Sequence, residues 1–246
     1  DTLVNLVESF SNERPPTAEA VLFGFDTNAI FEVGRRGNRG ATAVDEISRR
    51  KGKGLVLPGQ VVQELWNNHF SASGPKLKPL KRKYTEVIDE LNSAGFLSSD
   101  EFDGAARTVE RTIDKLDDWV DPESLRIFSE TLKALVGIGC ATYVPRFEFS
   151  ELANVRHATK TPPGFDDKGV NHGDFFVWAD FLLGVARSDL NHVDSIVFVT
   201  QEKKRDWRVN GRTHPILTAE ATAVSERPFA LWDVDEFVEY AVTTAL

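Results

Sequence analysis

Four short runs of mostly apolar residues constrain this chain more than anything else in it: residues 20–25, Leu55–Pro58, Ser195–Val199 and Phe229–Trp232. Each is too short for a typical helix, and none alternates apolar with polar. A continuous apolar run of this length suits a strand covered on both faces, as in a parallel sheet. Between the runs the sequence switches to helical periodicity, predicting helices over residues 3–10, 41–51, 60–70 and 233–242. Strands alternating with helices predict an α/β fold, a three-layer parallel sheet.

The middle of the chain reads differently. Residues 71–79 look like a linker, and helices are expected over 80–93, 102–120 and 122–137. Asp121-Pro122-Glu123 suits a helix start, with Pro in the first turn and acids beside it. We therefore expect one domain over residues 1–246, with a helical insertion at 71–155.

Net charge is −9, but the signs are segregated. Seven bases and two acids lie between Arg35 and Lys53, whereas Glu86 to Glu130 holds thirteen acids and four bases. Binding to a polyanion depends on the local face, so the acidic total does not exclude one. A single cysteine, Cys140, rules out an internal disulfide and a thiolate cluster. The five histidines show no paired zinc-ligand spacing. No apolar run reaches the roughly 18 residues of a membrane span. A cytoplasmic protein with no membrane contact is the expectation.

In open α/β sheets the working residues gather beyond the carboxyl ends of the strands. The first run closes on Asp26-Thr27-Asn28, and the second leads through Pro58-Gly59 to Glu64. Gly173-Asp174 opens an apolar helix, and the 195–199 run leads into Thr200-Gln201-Glu202-Lys203-Lys204-Arg205-Asp206. Each acid alone has an ordinary explanation, as a helix cap, a solvated acid or an ion-pair partner. Together they suggest a site for a hard divalent ion, which takes oxygen ligands and relieves repulsion among crowded carboxylates.

These residues carry a family likeness. Phe25-Asp26-Thr27-Asn28, the stretch Leu57-Pro58-Gly59-Gln60 through Glu64-Leu65, Gly173-Asp174 and Phe198-Val199-Thr200 resemble the ordered motifs of the PIN-domain nucleases. Pro162-Pro163-Gly164-Phe165-Asp166-Asp167-Lys168 and the run from Lys203-Lys204 to Asp206-Trp207 resemble a larger bacterial PIN-like subfamily. The likeness covers residues 20–70 and 155–235 and leaves out the helical middle. It implies a PIN-like Rossmann-type sheet and cleavage of phosphodiester bonds, usually in RNA, with Mg²⁺ or Mn²⁺. It implies Asp26, Glu64 and Asp174 as catalytic metal ligands, with Asn28 as a supporting polar group. For the fourth acid it leaves two residues, Glu202 at the usual family position and Asp206 four further on, and the subfamily's pattern favours Asp206 as the catalytic one.

On that reading Arg35, Arg36, Arg156, Lys203 and Lys204 would contact substrate phosphates, alongside Thr200. An antitoxin or other regulatory protein and a second copy of the chain are the further partners the resemblance suggests. Two rivals differ in kind. Haloacid-dehalogenase phosphatases need a second Asp two residues after the first, where this chain has Asn28. A non-catalytic PIN-like module binding RNA or a protein partner would be favoured by loss of the fourth acid.

Overall fold

The computed structural model describes residues 20–49, 54–68, 77–94, 139–166 and 172–243, with scattered positions between 100 and 137. The chain divides into two compact units, Asp1–Trp66 with Ile127–Leu246, and Asn67–Arg126.

The first unit is built on five parallel strands: β1 (Val21–Phe25), β2 (Leu55–Pro58), β3 (Gly139–Thr142), β4 (Ser195–Val199) and β7 (Phe229–Trp232). Their order across the sheet is β3-β2-β1-β4-β7. The chain therefore steps outward from β1 to β3, returns to the other side of β1, and steps outward again. That reversal makes the gap beyond the carboxyl ends of β1 and β4 the topological switch point, where α/β sheets leave a crevice. Phe25 sits opposite Val199 at this end, and the Asp26 amide donates to the Val199 carbonyl at 2.9 Å.

Every residue of β1, β2 and β4 is buried, as their unbroken apolar sequences require of strands covered on both faces. One face carries α1 (Thr27–Arg35), α2 (Asn38–Arg49) and α8 (Val234–Thr243), which contact one another. The opposite side carries α6 (Gly173–Arg187) and α7 (Pro215–Ser225), again in mutual contact. The result is the three-layer α/β arrangement. Its apolar interior is rich in aromatic edge contacts: Phe23 and Phe25 against Phe237 on one side, Trp178 against Phe198 and Trp207 on the other. The aromatic spacing of α6 is core spacing, with Phe175, Trp178 and Phe181 all buried.

Two glycines allow the layers to close. A Cβ at Gly24 would lie 2.4 Å from the Phe181 ring, and one at Gly184 would lie 2.2 Å from Val56 Cγ1. No side chain fits there without displacement.

Several expectations are corrected. The segment 71–155 is not wholly an insertion, because β3 within it pairs with β2 at the sheet edge and α5 (Arg146–Ala158) follows in the same unit. Gly139-Cys140-Ala141-Thr142 lacks the bulky apolar run that marked the other strands. In the second unit α4 (Leu77–Ala94) starts inside the stretch read as linker, with Pro79 tolerated in its first turn. The helix expected to begin at residue 41 begins earlier, because the Gly- and Arg-rich stretch 34–40 is mostly the end of α1 and the start of α2. The expected helix over residues 3–10 lies outside the described residues, as do parts of those over 102–120 and 122–137. Among the described residues no helix is long and apolar enough to cross a membrane.

Candidate active site

Asp26 follows the last residue of β1 and caps α1. Its Oδ1 accepts the Thr27 amide at 2.6 Å, and its Oδ2 accepts the Thr200 hydroxyl at 2.8 Å. The two switch-point strands are thus tied together through the first acid. The Thr27 hydroxyl donates to Glu64 Oε2 at 2.6 Å, and Gln60 Nε2 donates to Glu64 Oε1 at 3.0 Å. Glu64 reaches this point because α3 (Gly59–Asn68) starts directly after β2 and presents it one turn along, beside Gln60.

Asp174 lies in the first turn of α6, whose cap is His172 and not Asp174 itself. An acid there is favoured by the unpaired amides of the helix start. Asp174 Oδ2 accepts from Lys204 Nζ at 3.1 Å and from Trp207 Nε1 at 3.1 Å. Glu202 Oε1 accepts from Asn28 Nδ2 at 2.9 Å, while Asn28 Oδ1 accepts the Gln201 amide at 3.0 Å. Asn28 therefore joins the segment after β4 to the start of α1. Lys204 Nζ also lies 3.6 Å from Glu202 Oε2, so one ammonium stands between two acids.

The electrostatics are those of buried carboxylates with other acids nearby. Burial pushes the Asp26 carboxyl up to about 7, and the charges of Asp174 and Glu64 add to the rise. The Thr200 and Thr27 hydrogen bonds oppose it without cancelling it. Burial also raises Glu202, opposed by Lys204 and reinforced by Asp174 and Asp206.

Asp206 is placed differently. It is completely buried, and its Oδ2 accepts the amides of Gly164 and Asp166 at 2.8 and 3.4 Å. Its Oδ1 is buried without a hydrogen-bond partner among the described residues. Asp206 thus fixes the 161–166 loop, which the Pro-Pro-Gly sequence turns through a cis Pro162–Pro163 bond.

The cationic residues divide. Lys203 and Lys204 follow the fourth-acid segment directly, with Lys204 inside the acid group. Arg156 is tied to Glu220 at 2.6 Å and to the Pro162 carbonyl, and Glu220 also takes the Trp178 Nε1 proton at 2.7 Å. What the geometry gives Arg156 is a structural tie behind the loop. Arg35 pairs with Glu32, and Arg36 with Glu32 and Asp235, at the far end of α1.

Sequence reasoning missed Gln60, Arg146 and Asp180. Asp180 is fully buried and pairs with Arg146 through both guanidinium nitrogens at 2.9 and 2.8 Å, also accepting the amides of Gln60 and Val144. Arg146 Nη2 reaches Gln60 Oε1 at 3.3 Å, which directs the Gln60 amide nitrogen toward Glu64. An acid in the middle of an apolar helix was the available signal, because a fully buried charge requires a partner.

The donors around Asp26 are carboxylate, hydroxyl and amide oxygens, which is the chemistry a hard divalent ion takes. Among the described residues, however, no group of three or more acids or histidines is drawn close enough to form a ready ligand set.

The sequence pattern of the PIN-like domain family matches residues 80–220, more than half of the chain. The protein belongs to the PIN-like domain family, a family of nuclease type. The match takes in the helical middle, which the resemblance read from the sequence had left out. It includes Asp174, Glu202 and Asp206 but not Asp26 or Glu64, whose association with the others rests on hydrogen bonds through Thr200 and Thr27. Neither the curated proteins nor the solved structures gave a match.

Proposed function

We propose that this protein is a metal-dependent nuclease that hydrolyses phosphodiester bonds, with RNA as the preferred substrate. The observation that carries the reading is the buried Asp26 carboxyl at the switch point, raised to about 7 while Asp174 and Glu64 crowd it. A carboxylate held in a buried place, with further negative charge near it, is what a divalent cation compensates.

Asp26, Asp174 and Glu202 would hold the ion, Mg²⁺ or Mn²⁺. When bound, such an ion lowers the pKa of water and stabilises charge on phosphoryl oxygens. The chain's own residues do the remaining work. Thr200 and Thr27 fix the two Asp26 oxygens, so this carboxylate keeps one orientation. Glu64, held by Thr27 and Gln60, adds negative charge behind Asp26. Asn28 holds Glu202 toward the group. Asp206 anchors the 164–166 backbone beside the acids. Lys204, and Lys203 beside it, would meet phosphate oxygens.

The test is incubation with single-stranded RNA and Mn²⁺, with and without chelator, for the wild type and Asp26→Asn. Cleavage by the wild type alone, abolished by chelator, is expected. One observation favours a second reading, a non-catalytic module binding RNA or a partner protein. Lys204 already supplies a positive charge between Asp174 and Glu202. RNA binding with no cleavage under any divalent ion would select that reading.

A further inference from the structure

A cavity of about 410 Å³ opens from Thr200 and Glu202 away from Asp26 and its neighbours, toward Arg208 and Asn210. One side of it is the segment after β4, Thr200 to Lys203, and another is a short antiparallel hairpin, β5 (Arg208–Val209) with β6 (Arg212–Thr213). The hairpin turn is Asn210-Gly211, with φ of 52° and 80°. This is the two-residue turn in which both central residues take positive φ, the conformation that Asn-Gly accommodates best.

Three cations line this space: Lys203, Arg205 and Arg208. Arg208 is held by the carbonyls of Leu231 and Gly211 at 3.2 and 3.4 Å, which fixes its guanidinium while leaving other N–H groups to donate. Arg205 is paired with Asp166 at 2.9 Å but remains mostly exposed, and Lys203 is exposed. The acids on the lining are already engaged. Glu202 accepts from Asn28 and lies near Lys204, and Asp233 accepts the Glu236 amide at 2.9 Å as the cap of α8. Among the described residues no aromatic side chain lines the cavity, which offers a base no stacking surface there.

We propose that this cavity is a backbone-phosphate subsite, which takes the phosphate and sugar of a nucleotide neighbouring the one cleaved. The inference rests on the acids being a phosphodiester-cleaving centre. It adds the path of the strand, from Asp26 and Glu202 across Thr200–Lys203 to the β5–β6 hairpin. The volume lies within the roughly 300–1,000 Å³ of small-ligand pockets. A concave space of this size admits one unstacked nucleotide and not the side of a duplex, whose recognition works by shape across the grooves. The subsite therefore selects single strands and is indifferent to base identity.

The experiment is binding of a fluorescein-labelled single-stranded oligoribonucleotide in chelator, where no cleavage occurs, over a salt series. Wild type is compared with Lys203→Gln/Arg205→Gln, both substitutions at exposed positions, with circular dichroism as the check on folding. The double variant should bind more weakly, and its plot of log affinity against log salt should be shallower by about 0.7 for each phosphate no longer neutralised. The weakening should be equal for two oligonucleotides of different sequence. An unchanged slope and affinity would overturn the subsite, as would a wild type that binds duplex as tightly as single strand. The nuclease reading fails separately, if wild type binds the strand but never cleaves it with Mg²⁺ or Mn²⁺.

Discussion

Asp26 concentrates the electrostatic conflict of the candidate site. A carboxyl whose ordinary value is 3.8 is raised to about 7 in the fold, chiefly by burial and further by Asp174 and Glu64. In the unfolded chain it ionises near its ordinary value, so between about pH 4 and pH 7 the folded protein holds a proton that the unfolded chain has released. Rising pH therefore removes stability across that window, and the loss is complete above the folded value. Asp26→Asn keeps an oxygen to accept the Thr27 amide or the Thr200 hydroxyl but cannot ionise. Urea titrations in chelator should find wild type losing stability relative to Asp26→Asn from pH 4 to pH 7; parallel profiles would contradict the assignment.

Asp206 presents the opposite case at the same scale. Removing its carboxylate in Asp206→Ala leaves the buried Gly164 amide without its acceptor, at a cost of about 1–3 kcal/mol. Glu202 is half-buried, and Glu202→Gln retains an oxygen for Asn28. Urea denaturation should therefore show Asp206→Ala well below wild type and Glu202→Gln close to it. On the roles proposed, the activity ranking reverses, with Glu202→Gln the more damaged enzyme relative to its folded fraction.

Among the elements, legibility followed burial chemistry. The strands β1, β2, β4 and β7 are bulky apolar runs, and the sheet makes them so because both faces are covered. The edge strand β3 escapes that rule: Ala141 is exposed, and the buried Thr142 donates to the Asp180 carbonyl at 2.6 Å where Gly184 brings α6 close. A strand at the sheet edge with an exposed residue and a buried polar one needs no apolar run, so the signal that announced the other strands is missing. Helices α5 and α7 and the hairpin were hidden for a related reason. Their identity comes from tertiary partners, as when Arg146 at the start of α5 finds Asp180 across the molecule. Gly184→Ala tests the close approach directly. Its Cβ would meet Val56 at 2.2 Å, and unfolding in urea should show a loss of roughly 1–3 kcal/mol, the usual cost of overpacking.

For the whole molecule, the meeting of these acids at one end of the sheet was readable because topology obeys a rule that sequence order reveals. Residues 26, 64, 174 and 202 are far apart in the chain, yet three parallel strands and their following helices must end on one side of the sheet. What could not be read was which cation neutralises them, since Lys204 faces Asp174 only once the segment after β4 has folded back. The competition between that ammonium and a divalent ion is a property of the assembled protein, and it has a thermodynamic consequence. An ion that binds the folded form and not the unfolded chain stabilises the fold, by about 2.7 kcal/mol at a hundredfold excess over its dissociation constant. Mn²⁺ should therefore raise the melting temperature of the wild type in calorimetry, in a concentration-dependent manner and without any substrate present. Asp26→Asn and Asp174→Asn should respond weakly, because each removes a charge from the group that holds the ion. Lys204→Gln should respond more strongly than wild type, since it removes the resident positive charge and leaves Asp174 and Glu202 facing each other. An equal response from all four proteins would show that the ion binds elsewhere on an acidic surface, and with it the acids beyond β1 and β4 would lose their part in catalysis.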